Sequence, residues 1–310
     1  MQFIRLSIFL LTFVLLNTTI QAQAIRSQEY FEKAVEKYNA HNYKQSTAML
    51  EKALKYDQSN ADAWFLLGQL RYNEGKKEQA LESVDKAIAA RPRFYQALEF
   101  RASLYIDKKE YNKAITDLDN CLAEYPDNAM ALSNRGYLKY MTKDYKGAYA
   151  DLNQSIRLDA ESYTTYNNRG LVRIERKEYQ AAIDDFNKCL KLHPHYGIVI
   201  NNRGYAKIMM SKLEDGHKDI EESLSVEPDN AWALRNLGIY YFMKGEYQIG
   251  LDNLTQALSI DPAIPLIHYY MAQCYFGLNK TSLGCQEVEL SQKEKEVEAE
   301  ELVEKCDSDK

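Results

Sequence analysis

Apolar residues recur along this chain at helical spacing. Ile183, Phe186 and Leu190 lie three and four positions apart with polar residues between them, which is one face of an amphipathic helix. A small residue then returns every 34 positions: Ala34, Gly68, Ala102, Gly136, Gly170, Gly204, Gly238 and Ala272. With Ser27 taken as position 1 of the first unit, this residue is position 8. Position 20 is also small, from Ser46, Ala80 and Ala114 through Gly216, Gly250 and Gly284. So is position 27, which includes Ala53, Cys121, Ser155 and Cys189. Position 17 is tyrosine five times (Tyr43, Tyr111, Tyr145, Tyr179, Tyr247), and position 32 is proline five times (Pro92, Pro126, Pro194, Pro228, Pro262). The pattern predicts two antiparallel helices per unit, brought close by the small residues. Proline ends the second helix, and Asp127-Asn128 or Asp229-Asn230 supplies the turn and cap for the next.

A chain of such units has no single core; each unit covers its neighbour's apolar face. The 34-residue period with its small, aromatic and proline positions resembles the tetratricopeptide repeat family. The resemblance covers residues 27–298 as eight units: 27–60, 61–94, 95–128, 129–162, 163–196, 197–230, 231–264 and 265–298. It implies an all-α fold, an α-solenoid wound as a right-handed superhelix. The outer units depart from the pattern, as capping units do. Lys33 and Gln58 are off pattern in the first, and Thr281 and Glu296 replace the aromatic residue and the proline in the last.

The N-terminus reads differently. One positive charge in Met1–Arg5 precedes an apolar run from Leu6 to Leu16, then Asn17-Thr18-Thr19 and Ala22-Gln23-Ala24. These are the three regions of a secretory signal peptide in order, so residues 1–24 are expected to be removed by cleavage after Ala24. The run is short for a membrane span, which takes about 20 residues. Membrane attachment is expected only if the signal stays uncut. Export is the expected fate, with the bacterial periplasm the expected compartment and a secreted or envelope-associated location the alternative.

Charge narrows the choice of partners. Ten acidic and four basic residues from Gln286 to Lys310 account for the whole net charge of −6, leaving the repeats balanced. The resulting absence of a basic surface argues against nucleic acid. Residues 299–310 read as an acidic tail, continuing a solvated helix with Glu289–Lys293 and Glu301–Lys305 pairs. Composition agrees with a packed helical chain: 45% hydrophobic, 24 Tyr and only 6 Pro.

Two within-chain correlations concern the frame. Position 7 is arginine in Arg101, Arg135, Arg169 and Arg203, and in the same units position 23 is Asp117, Asp151, Asp185 and Asp219. Where position 7 is Leu67 or Leu237, position 23 is Ser83 or Asn253. This co-occurrence predicts an Arg–Asp contact between helices, within a unit or across neighbours, in preference to a charged ligand site. In an exported chain, cysteines can pair. Cys274 and Cys285, at positions 10 and 21 of the last unit, are expected to face each other as a candidate disulfide. Cys121 and Cys189 are expected to be core fillers, and Cys306 has no obvious mate.

No phosphate loop, nucleophile elbow or paired-histidine zinc helix is present, and His193 with His195 alone makes an incomplete metal site. No catalytic residue, cofactor, metal or small-molecule substrate is therefore expected. The family resemblance places binding residues on a concave wall formed by positions 2, 5, 6, 9, 12 and 13. These are Asn134, Tyr137, Met141, Asn168, Leu171, Asn202, Tyr205, Met209, Trp232, Asn236, Ile239 and Met243. Amides there can bond an extended peptide, and aromatic and Met side chains suit adaptable protein contact. The expected function is a non-catalytic scaffold or adaptor of the cell envelope that binds a peptide segment or helix of a partner. The alternative is a structural or self-assembling envelope protein held by an uncut signal.

Overall fold

The computed structural model describes residues 2–307. Among them there is no strand, only helices in consecutive antiparallel pairs, arranged as two compact units that divide after Lys143. Unit 1 holds α1 (Gln2–Asn39), α2 (Tyr43–Tyr56), α3 (Ala61–Asn73), α4 (Lys77–Ala90), α5 (Tyr95–Asp107), α6 (Tyr111–Glu124) and α7 (Ala129–Met141). Unit 2 begins with α8 (Tyr145–Leu158), α9 (Tyr163–Glu175), α10 (Tyr179–Leu192), α11 (Gly197–Met209) and α12 (Leu213–Val226). It continues through α13 (Ala231–Met243), α14 (Tyr247–Ile260), α15 (Ile267–Gly277) and α16 (Thr281–Lys293). A 3-10 turn (Val297–Leu302) and α17 (Val303–Asp307) close it.

The helices sit on the 34-residue beat. First helices such as α3 and α9 fill positions 1–13, and second helices such as α4 and α10 fill positions 17–30. Asn60, Asn128 and Asn230, all at position 34, accept a hydrogen bond from the backbone N–H three residues on, so each caps the next first helix. The small residues do what their size implies. A methyl group on Gly204 would lie 2.9 Å from the Gly216 carbonyl oxygen, and one on Gly216 would lie 2.7 Å from that of Gly204. The two backbones touch, and no side chain fits between them.

Position 15 carries the turn between the paired helices. His41, Gly75, Lys109, Lys143, Lys177, Ser211, Gly245 and Asn279 all have φ between 56° and 78°. The N–H of the following residue returns to the carbonyl five back, as in Lys76 to Arg71 and Glu178 to Arg173, which closes a Schellman-type helix end. Most of these residues are not glycine, so the left-handed turn is imposed by the packing on either side of it.

Buried apolar residues form a series of clusters. One joins Ala34, Leu50, Ala53 and Leu67 in unit 1; another joins Ile208, Ile220, Leu234, Ile239, Leu254, Ile264 and Cys274 in unit 2. Cys121 and Cys189 are fully buried fillers, as expected.

The Arg–Asp contact lies within the unit. Arg101 meets Asp117 through Nε (2.8 Å) and Nη2 (2.6 Å), and Arg169–Asp185 and Arg203–Asp219 repeat the fork. Each arginine also reaches position 25 of the preceding unit: Arg101 to Asp85, Arg135 to Asp119, Arg169 to Asn153 and Arg203 to Asn187. One guanidinium thus ties three helices. A second cation one turn on supports two of the aspartates, Arg173 on Asp185 and Lys207 on Asp219.

Two expectations for the C-terminus are corrected. Cys285 bonds to Cys306, with Cα atoms 5.6 Å apart, and Cys274 is a free thiol. Cys274 points back toward α13 and α14, where its Sγ lies 3.3 Å from the position a methyl on Gly250 would take, while Cys285 faces the following segment. The predicted solvated helix also ends early. Lys295 turns with φ 63°, and residues 297–307 fold back so that Leu302 is buried against Ala272 and Val288 and Ala299 is fully buried. Glu296 accepts from the Leu266 N–H and the Ser291 hydroxyl, and Glu301 accepts from the Tyr269 hydroxyl. The acidic segment from Glu296 to Asp307 therefore caps the open face of the last unit.

Two predictions test these contacts. Arg101→Leu alone leaves the buried Asp117 without a cation and should cost about 3 kcal/mol in urea unfolding of the full chain. Adding Asp117→Ser should recover part of that loss, with a coupling of about 1–3 kcal/mol; additivity within about 0.5 kcal/mol contradicts the pairing. Peptide mapping without reductant should find Cys285 joined to Cys306. Burial pushes the Cys274 thiol up to about 12 and those of Cys121 and Cys189 up to about 11, so at pH 8 these three stay protonated and iodoacetamide should leave them unlabelled until the chain is denatured.

Candidate functional site

The first helices of unit 2 present one face through positions 2, 5, 6, 9 and 13. Three of its large apolar members are exposed. Ile198 is 51% exposed, Trp232 46% and Met243 38%. Leu171, Tyr205 and Met209 are half-buried beside them, and Asn168 and Asn202 are half-buried amides. In unit 1, α7 presents Asn134 and Met141 as exposed residues, with Tyr137 half-buried and its ring 6.5 Å from that of Tyr140. Burial raises the Tyr137 and Tyr205 hydroxyls above the ordinary tyrosine range, so both remain neutral donors.

Two of the expected site residues belong to the core. Ile239 is fully buried in the cluster with Ile208 and Leu254. Asn236 keeps only 2% of its surface, and its Nδ2 donates to Asn201 Oδ1 at 2.9 Å. The amides bond each other from unit to unit: position 6 donates to position 5 of the unit before, as Asn202 does to Asn167 at 3.4 Å. The Asn201–Asn236 step is sealed inside. The Asn167–Asn202 step is open, and there the Asn202 carbonyl oxygen has capacity for an incoming N–H.

Arg235 is the residue whose role the sequence understated. It is 94% buried, since only 6% of its surface is exposed. Its guanidinium lies 4.9 Å from the Trp232 ring centre and 5.3 Å from that of Tyr205. Its Nε and Nη2 donate to Asn236 Oδ1 (3.2 and 2.8 Å), and its Nη1 donates to the Pro265 carbonyl (3.1 Å). The signal was legible: arginine at position 5 of a unit whose position 23 is Asn253 and not aspartate. Repeat eight closes the face. Tyr269 and Gln273, its positions 5 and 9, bond each other while Tyr269 also bonds Glu301 of the C-terminal segment.

No group of three or more His, Cys, Asp and Glu among the described residues is placed to hold a metal. His193 stacks on Tyr163 at 4.7 Å, and its neighbour His195 occupies a left-handed turn. The surface offers aromatic and thioether area, amide groups and one buried cation, which are means of holding a chain.

The fold is that of a helical-repeat protein. Models of the tetratricopeptide repeat match residues 31–93, 66–121, 101–163 and 163–196. The chain belongs to the tetratricopeptide repeat family. Its fold is similar to that of a tetratricopeptide repeat protein from Parabacteroides merdae, at 22% identity, a TM-score of 0.60, and coverage of 80% of this chain and 98% of that one. Pseudomonas aeruginosa PilF is similar at 18% identity and TM-score 0.58, covering 68% and 96%. YrrB, described as a repeat protein with an unusual peptide-binding site, is similar at 18% identity and TM-score 0.51, covering 60% and 95%. No curated protein matches the sequence.

The two kinds of amide should separate in mutants. Asn236→Ala removes the acceptor of two guanidinium N–H groups and should lower stability by about 2–3 kcal/mol in urea unfolding. Asn202→Ala, at the open step, should change it by less than about 1 kcal/mol. Equal losses would mean that both amides are structural.

Proposed function

We propose that this chain is an exported, non-catalytic interaction scaffold of the bacterial envelope that holds a peptide segment or helix of another protein on its first-helix face. One observation carries the reading. Large apolar side chains, Ile198, Trp232 and Met243, stand open on first helices that otherwise bury what is apolar, and the same face carries the half-buried amides Asn168 and Asn202. Exposed aromatic and Met side chains among polar groups match the composition of protein contact surfaces. Proteins of this family generally mediate contacts with other proteins, and YrrB is described as binding peptide. The near-neutral repeats give a charged polymer such as nucleic acid nothing to follow.

Export rests on the order of charge, apolar run and Ala22-Gln23-Ala24 at the N-terminus. Among the described residues no helix is long and apolar enough to cross a membrane.

Affinity capture from the native envelope tests the surface. Wild type should retain a partner that an Asn168→Ala/Asn202→Ala variant loses by roughly tenfold or more. Unchanged capture, or recovery of the chain's own copies alone, would favour a structural, self-assembling role. N-terminal sequencing of the mature protein should begin at Ile25; a retained Met1 on a membrane-bound protein contradicts cleavage.

A further inference from the structure

Residues 296–307 cover the end of the last unit, and they also lie on its first-helix face. Position 2 is open in α11 and α13, where Ile198 and Trp232 are exposed. In the last unit position 2 is Leu266, half-buried, and its N–H is taken by Glu296. Position 5, Tyr269, donates to Glu301 and accepts from position 9, Gln273. Position 12, Phe276, has the Lys305 ammonium 5.2 Å from its ring centre. Glu298 is near enough to Tyr205, position 9 of the sixth unit, for its charge to act there. The segment thus occupies the groups that the last unit would otherwise present alongside those of its neighbours.

The noncovalent hold on this segment is slight. Ala299 and Leu302 are its fully buried side chains among those described, while Val297 is 73% exposed. Its elements are a six-residue 3-10 turn and a five-residue helix, each too short to persist alone. It carries Glu296, Glu298, Glu300, Glu301, Glu304 and Asp307 against the one cation Lys305, so its own charges repel one another and favour water. Against these stands the bond from Cys306 to Cys285 of α16. Both residues of that pair are half-buried, whereas Cys121, Cys189 and Cys274 are buried. The bonded pair is therefore the sulfur chemistry of this chain that a dithiol in solution can reach.

We propose that residues 296–307 form a lid over the last unit's share of the first-helix face, latched by Cys285–Cys306 and released when a dithiol reduces that bond. What the lid covers rests on the peptide-binding reading; the latch does not. A thiolate of the dithiol attacks one sulfur of the pair, forms a mixed disulfide and expels the other cysteine as a thiolate. The second thiolate of the dithiol then displaces the cysteine still bound to it. The pair gains two electrons and two protons and becomes two thiols, and the dithiol becomes a disulfide. Once free, the segment gives up two small buried side chains and gains full hydration of its carboxylates. Its departure returns the Leu266 N–H and the Tyr269 hydroxyl, removes the charge of Glu298 from beside Tyr205, and lengthens the face by one unit.

The test uses the full chain in three forms: oxidised, treated with dithiothreitol without denaturant, and as Cys306→Ser. Dithiothreitol should open the bond in the folded chain and leave Cys121, Cys189 and Cys274 unlabelled. Reduction only after unfolding would make the bond a permanent staple and overturn the switch. Amide hydrogen exchange over residues 297–307 should then quicken at least about tenfold in the reduced chain and in Cys306→Ser, with exchange in α13 and α14 unchanged. Equal exchange with the bond intact and broken overturns the latch. A benzophenone side chain at Gln273 reads what the lid covers: it should crosslink an envelope partner after reduction and not before. Crosslinking in both states, or in neither while position 243 still crosslinks, overturns the masking and leaves the peptide-binding reading standing. Crosslinks from neither position overturn that reading and the masking together, and the exchange rates still decide the latch.

Discussion

A hairpin of 13 and 14 residues cannot bury both of its faces, and the structure is organised by that constraint. Each pair of helices needs the next. Within the hairpin, residues such as Gly204 and Gly216 bring the backbones into contact, and this close fit fixes which faces are left for the neighbours. At the C-terminus no further unit follows among the described residues. There an irregular acidic segment takes its place, burying Ala299 and Leu302 and joined covalently through Cys306 to Cys285. A loop of this size closed by a disulfide contributes about 3 kcal/mol, enough to hold a short segment that has little core of its own.

Charge is handled in two ways, and the contrast separates frame from site. At position 7 the guanidinium forks onto an aspartate of its own unit and bonds an acceptor in the unit before, so the cation is neutralised and the register between units is set. At Arg235 the same side chain is buried against rings and neutral oxygens. The first arrangement pairs the cation with a carboxylate; the second gives it neutral oxygens and rings.

The helical period, the close-packed positions and the asparagine caps were legible because each is a local demand on residue type: nothing larger fits at Gly204, and Asn128 is placed to cap α7. The Arg–Asp pairing was legible because it recurs with its exceptions. Three things were not. The left-handed turn at position 15 is hidden because Lys109, Lys177 and Ser211 adopt it without glycine. The cysteine pairing failed because position 10 points to the preceding unit, a direction that spacing alone does not give. The exposure of the candidate face also escaped, since Asn236 and Asn202 share a position in the repeat and differ in burial. Their difference arises from neighbours, Arg235 and Asn201 in one case and Asn167 in the other.

Site-specific photocrosslinking in cells tests the central claim, that the first-helix face carries recognition. A benzophenone side chain at Met243, on that face, is compared with one at Ile249 on α14; the native residues are 38% and 44% exposed. The account predicts a discrete crosslinked partner from position 243 and none from position 249. Crosslinks arising from position 249 alone would contradict it.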